Sequence, residues 1–166
     1  MSGQAARAGF DAIVALGSNL GDKEGRIAEA VHHLTETGDI RVVARSRNYR
    51  TAPWGKTDQD WFVNACVAVA TDLSAHELLK RCQAIESCMG RVRTEHWGPR
   101  VIDLDVLVYR DVNLDEADLT LPHPRITERA FVLAPLADVA PDLKIKGRKV
   151  SDWLAAIDHT DVVALE

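Results

Sequence analysis

Cysteine is scarce in this chain and shows no pattern. Cys66, Cys82 and Cys88 are odd in number, have no C-x-x-C spacing and sit inside apolar periodic segments, which excludes a disulfide framework and reads as buried free thiols in a reducing compartment. No apolar run is long enough to span a bilayer, and the N-terminal MSGQAARAGFDAIVALGSNLG has one arginine but no h-region or cleavage pattern. A cytoplasmic protein without a membrane anchor is expected, with residues 1–10 as a loose leader. Positive charge is also in deficit: the formal net charge is −5, which argues against a general nucleic-acid binder, because phosphate backbones need a basic face. Aromatic residues make up 5% of the chain and form no run that would stack successive RNA bases. There is no G-x-x-x-x-G-K-[ST], and Gly17-Ser-Asn-Leu-Gly-Asp22 is not G-x-G-x-x-G, so both common phosphate loops are excluded and that turn reads first as structural. No repeat, low-complexity tract or linker divides the 166 residues, so a single domain, 1–166, is expected.

What the chain does have is concentrated in one stretch. Residues 90–109 read GRVRTEHWGPRVIDLDVLVY and place Arg91, Arg93, Arg100 and Trp97, with a Gly98-Pro99 break, directly before a strand carrying Asp103 and Asp105. In that strand Ile102, Leu104, Val106 and Val108 alternate with Asp103, Asp105, Leu107 and Tyr109, the period of a half-buried strand. Both carboxylates then point to one face, roughly 7 Å apart along the strand. Mg²⁺ prefers a few carboxylates, several waters and substrate phosphates to a closed protein cage, and an open Asp-x-Asp matches that preference. A bare pair of acids on a strand is also read as a solvated face, but the adjacent arginines add anion clamps to the same surface.

The remaining pattern alternates strands and helices. A short strand, 12–16, runs through the 17–22 turn into a helix with the stripe Ile27, Ala30, Val31 and Leu34. A strand over 40–49 leads into a long polar loop, 50–60, of the kind that serves as a lid or binding loop. In a third strand, 62–71, Val63, Ala65, Val67 and Val69 share one face, while Phe62, Asn64 and Cys66 share the other. A mid-strand Asn is unfavourable; it is read either as a satisfied structural polar residue or as an amide able to donate and accept at once to a flat heteroaromatic ring. Ser74-Ala-His-Glu77 is a capping box opening a second helix with the stripe Leu78, Cys82, Ile85 and Met89, which Gly90 stops. Gln83 and Glu86 fall on a different, exposed face, where such pairs are usually just solvated. A hairpin-like connection over 111–118, a rigid Pro122-His123-Pro124, a basic hairpin around Gly147 and a final helix from Ser151 complete the chain. The order strand, helix, two strands, helix, strand is the α+β split-βαβ pattern of ferredoxin-like folds. We expect a sandwich in which an antiparallel sheet carries helices on one face and keeps an open active-site face with Asn64, Asp103 and Asp105.

The run R-V-R-x-x-x-W-G-P-R-x-x-D-L-D-V resembles the signature of the 6-hydroxymethyl-7,8-dihydropterin pyrophosphokinase family of folate biosynthesis. The segments G-S-N-L, T-x-P-x-G with a following aromatic and Asn, and L-P-H-P-R-x-x-x-R-x-F-V-L-x-P-L are similar to it as well, so the likeness runs from Gly17 to Asp142. The resemblance implies an ATP-dependent diphosphokinase that moves the β,γ-diphosphate of ATP to the hydroxymethyl group of 6-hydroxymethyl-7,8-dihydropterin and releases AMP. Two Mg²⁺ ions on Asp103 and Asp105 are implied, with Arg91 and Arg100 as the other catalytic residues. ATP contacts are implied for Gln83, Glu86, Arg91, Trp97, Arg100, Val106, Thr120, His123 and Arg129. Pterin contacts are implied for Thr51, Trp54, Phe62, Asn64, Trp97 and Phe131, with Phe62 and Phe131 stacking on the ring and Asn19 supporting the neighbouring loops. A monomer acting on ATP and the pterin, with no nucleic-acid or membrane partner, is expected, with the segments 51–60 and 90–100 closing over the site. The chain departs from the family's usual pattern at Thr94, where a lysine is common, in an arginine loop one residue shorter, and at Ala52, Trp54, Asp118 and Pro124. Two rival readings remain: a ferredoxin-like ligand- or RNA-binding module, disfavoured by two acids at the sheet's centre, and a metal-dependent phosphohydrolase.

Overall fold

A computed structural model describes residues 9–51, 61–90 and 101–165. The chain is built on an antiparallel sheet of β1 (Ala12–Ser18), β2 (Ile40–Arg45), β3 (Tyr49–Thr51), β4 (Phe62–Thr71), β5 (Asp103–Tyr109) and β10 (Val162–Ala164), in the order β10-β3-β4-β1-β5 with β2 also paired to β4. Two small hairpins lie outside it: β6 (Leu114–Asp115) with β7 (Thr120–Leu121), and β8 (Lys144–Ile145) with β9 (Arg148–Lys149).

One face is covered by α1 (Lys23–Thr35) and α2 (Ala75–Cys88). Asp22 caps α1 by accepting from the Gly25 N–H at 3.1 Å, and Ser74 and Glu77 close the expected capping box on α2. The α1 stripe (Ile27, Ala30, Leu34) and the α2 stripe (Leu78, Cys82, Ile85) pack on Val14, Leu16, Val67, Val69, Leu104 and Val106 in one buried cluster. Gly90 follows α2 at φ +88°, the left-handed conformation that ends a helix without strain only for glycine.

The second face is divided. Helices α3 (Ala130–Val139) and α4 (Val150–Ala156) cover one end, where Leu133, Leu136 and Val150 bury Ile13, Cys66, Ala68, Leu107 and Val108. Among the described residues that core reaches Ala15 and Cys66, and the ends of β1, β4 and β5 that carry Gly17, Asn64, Asp103 and Asp105 form the open part of the sheet. The α+β class and the open face are as expected; α3 and α4 on that same side are the addition.

Three local readings change. The expected strand over 40–49 is two strands, because Ser46 interrupts the ladder: its N–H donates to the Cys66 carbonyl at 2.9 Å, its Oγ accepts from the Cys66 N–H at 2.8 Å, and that hydroxyl donates to the Arg47 carbonyl. The alternation over Val101–Tyr109 holds only to Val106. A register shift opposite Ile13 and Val14 sets Leu107 and Val108 together in the second core and returns Tyr109 to the first. Cys66 and Cys82 are buried free thiols as expected, but Cys88 is exposed, one residue before the C-cap Met89 of α2. Burial pushes the Cys82 thiol up to about 12. The expected leader falls largely in residues 1–8, outside the described residues.

Candidate active site

The strand register brings the site together. Gly17 on β1 lies between Asn64 on β4 and Asp103 on β5, and Ala15 lies in the same way between Cys66 and Asp105. With neighbouring strands about 4.8 Å apart, Asn64 and Asp103 face out of the sheet roughly 10 Å from each other. Asp103 is half-buried and Asp105 exposed, while Leu104 and Val106 between and beyond them are buried in the helix-side core. The two carboxylates therefore share the open face, as their spacing predicts.

Asn64 is positioned rather than free. Its Oδ1 accepts from the Thr51 hydroxyl at 2.8 Å, and its Nδ2 lies over Gly17, where a Cβ would sit 2.8 Å from it. Only glycine leaves room for the amide to lie across β1. Phe62 faces Thr51 in the β3–β4 ladder and is half-buried. Thr51 itself is buried, as is Asn19 just past β1.

Glu86 corrects the exposed-face reading of α2. It is only 7% exposed, and its Oε2 accepts from the Leu104 N–H at 2.8 Å. That N–H belongs to the peptide between Asp103 and Asp105, on the strand that ends the sheet, so a helix side chain takes the place of a missing ladder partner. Gln83 remains exposed. Val106 points into the helix-side core, so its side chain lies on the opposite face from the carboxylates.

His123 is fixed from two sides. Its N–H donates to the Leu107 carbonyl at 2.8 Å, and its Nδ1 accepts from the Arg125 N–H at 3.1 Å, which leaves the ring proton on Nε2. Burial first, then the charges of Arg129 and Arg125, hold the imidazole below its ordinary pKa against an upward pull from nearby Asp105, so the ring is neutral at pH 7. Arg129 occupies the N-cap position of α3 without a side-chain capping bond, its guanidinium 5.6 Å from the Phe131 ring centre on the first turn. The Thr120 hydroxyl, on β7, donates to the Glu116 carbonyl at 3.5 Å.

Arg91, Trp97 and Arg100, along with Trp54 and the departures at Ala52 and Thr94, lie outside the described residues, as do most of the two segments expected to close over the site. Sequence reasoning passed over Trp61, which carries the Arg50 guanidinium 3.5 Å from its ring centre and the Lys23 ammonium at 6.0 Å. Gly17 as the partner of Asn64 follows from the β1–β4 register and not from strand parity, and no sequence signal points to the bond from Leu104 to Glu86.

The donor set suits a hard cation. Two carboxylate oxygen donors on an open face leave most of a Mg²⁺ shell to water and phosphate, as that ion requires. Among the described residues the one cluster of three metal-type donors is elsewhere, at His76, Glu116 and Asp118, where His76 Nε2 lies 2.9 Å from Glu116.

The chain is similar along most of its length to known proteins. A family model described as 7,8-dihydro-6-hydroxymethylpterin-pyrophosphokinase (HPPK) matches residues 13–141. A 2-amino-4-hydroxy-6-hydroxymethyldihydropteridine pyrophosphokinase of Methylorubrum extorquens is 54% identical over 155 residues, spanning 93% of this chain and 98% of that protein. One of Bacillus subtilis is 43% identical over 133 residues, 80% of each. Among solved structures, wild-type Plasmodium falciparum HPPK-DHPS superimposes with a TM-score of 0.66 at 17% identity, covering 89% of this chain and 43% of that one. That last likeness speaks for the fold alone.

Proposed function

The chain belongs to the 7,8-dihydro-6-hydroxymethylpterin-pyrophosphokinase family, and from that premise we propose the reaction and the roles of its residues. The protein is an ATP-dependent diphosphotransferase of folate biosynthesis. It moves the β,γ-diphosphate of ATP to the hydroxymethyl group of 6-hydroxymethyl-7,8-dihydropterin. The alcohol oxygen bonds to the β-phosphorus, the bond from that phosphorus to the α-phosphate oxygen breaks, and AMP departs with that oxygen.

The observation that supports this reading most is the shared row on the open face: Asp103 and Asp105 beside an Asn64 amide held over Gly17. Asp103 and Asp105 would hold the metal, read as two Mg²⁺ ions, which supply charge neutralisation for the phosphates and lower the alcohol's pKa. Phosphoryl-type transfer asks the protein mainly to position reactants and spread charge. Arg91 and Arg100 supply forked donors to the transferring group. Arg129, at a helix N-terminus, and the Nε2–H of neutral His123 add donors that face phosphate oxygens. Asp103 orients the alcohol and takes up its proton. Asn64 and Thr51 read the pterin's amide-like edge, with Phe62, Phe131, Trp54 and Trp97 as apolar walls. Gln83, Glu86 and Thr120 border the nucleotide. Val106 takes part through backbone only, and Glu86 through its hold on Leu104.

We further propose one domain acting as a monomer in the cytoplasm, without a nucleic-acid partner; no described helix is long and apolar enough to cross a membrane. The test is a product assay with purified protein, Mg²⁺, ATP and the pterin alcohol. AMP formed only when the pterin is present is the expected result. Pterin-independent ADP and phosphate would mean a hydrolase, and no turnover would return the chain to the ligand-binding class.

A further inference from the structure

Asp138, near the C-terminal end of α3, is gripped by four donors. Its Oδ2 accepts from the Arg47 N–H at 3.0 Å and from Arg47 Nε at 3.1 Å, its Oδ1 accepts from Arg47 Nη2 at 3.1 Å, and the Tyr49 hydroxyl lies 2.9 Å from both oxygens. That hydroxyl also accepts from Arg47 Nη2 at 2.8 Å. A pair this exposed on the arginine side, 63% for Arg47, contributes little as a surface ion pair. What it fixes is geometry.

The two partners of the clamp lead along β3 and α3 to two of the groups assigned above to the pterin, the Thr51–Asn64 pair and Phe131. Tyr49 opens β3, a strand of three residues, and faces Asn64 in the ladder; two residues on, Thr51 donates to Asn64 and leads into residues 52–60. At the far end of α3 stands Phe131, on the first turn. Asp103 and Asp105 lie beyond β4 and β1, at the opposite edge of the sheet from β3. Arg129 has a second anchor: it closes the turn Ile126–Glu128, its N–H donating to the carbonyl of buried Ile126.

We infer that Asp138 is a positioning residue for the pterin side of the reaction, setting the width between the Thr51–Asn64 pair and Phe131 by tying α3 to β3. This rests on the diphosphotransferase reading above. Misplacing one wall of a slot costs on the order of tenfold or more even when the change is remote from the chemistry, and that cost falls on the flat substrate, not on the nucleotide.

The experiment is steady-state kinetics on the full chain for Asp138→Ala, Asp138→Asn, Tyr49→Phe and the double variant Tyr49→Phe/Asp138→Ala, each assayed below its melting temperature. Asp138→Ala is expected to raise KM for the pterin about tenfold while KM for ATP stays within about twofold. Asp138→Asn, which keeps an acceptor for Tyr49, should recover part of the loss. The double variant should be no worse than Asp138→Ala, because the two single changes remove the same bond. Equal rises in both KM values, a lowered melting temperature with neither KM changed, or additive losses in the double variant would overturn the inference. A wild-type protein that makes no AMP with the pterin would overturn the underlying reading, and would do so before any variant is assayed.

Discussion

At the scale of single residues, the carboxylate pair depends on a neighbour from the helix-covered side of the sheet. Glu86 reaches from α2 to the peptide N–H between Asp103 and Asp105 and accepts its bond at 2.8 Å. Removing that acceptor leaves a buried N–H unpaired, a loss of about 1–3 kcal/mol. Glu86→Ala should therefore lose stability by that amount, unfolding at lower urea, and turn over more slowly, whereas Glu86→Gln, with an amide oxygen in the same place, should keep most of both. Equilibrium unfolding checks the first half, and a wild-type midpoint for Glu86→Ala would contradict it. The sequence placed Glu86 correctly on α2 but on the wrong face. Its three-residue offset from Gln83 and its polarity both spell solvent, and only the position of β5 at the sheet's edge explains a buried acid there.

At the scale of elements, the site is a product of strand register. Gly17, Asn64 and Asp103 come from three strands far apart in the chain and meet because β1 pairs antiparallel with both β4 and β5. Gly17→Ala should push the Asn64 amide off its seat and away from Thr51, since the added Cβ would lie 2.8 Å from Nδ2. The expected outcome is a rise in KM for the pterin of about tenfold with a folded, soluble protein by circular dichroism; an unchanged KM would remove Asn64 from the pterin site. Two-residue periodicity made the faces at the start of β4 and of β5 legible, because there one side is core and the other carries Asn64, Asp103 and Asp105. It failed after Val106, where both faces are apolar and a one-residue bulge costs the pattern nothing. It failed also at Ser46, whose side-chain bonds stand in for ladder bonds and split one expected strand into two.

At the scale of the molecule, a chain of net charge −5 handles a polyphosphate by keeping its cations local. Arg129 and a neutral His123 border the open end of a sheet whose other end is sealed by α3 and α4. The capping box, the helix stripes and the Asp-x-Asp strand made the α1, α2 and β5 framework readable. The division of the second face was not, because the apolar run Phe131–Leu136 is equally consistent with a helix packed on either side of the sheet. The most direct test of the central claim, transfer of a whole diphosphate, is to follow ATP labelled at the β-phosphorus. The account predicts that the label leaves the nucleotide and appears on the pterin, with unlabelled AMP formed in equal amount. Label retained in ADP, with only the γ-phosphate moved or released, would contradict it.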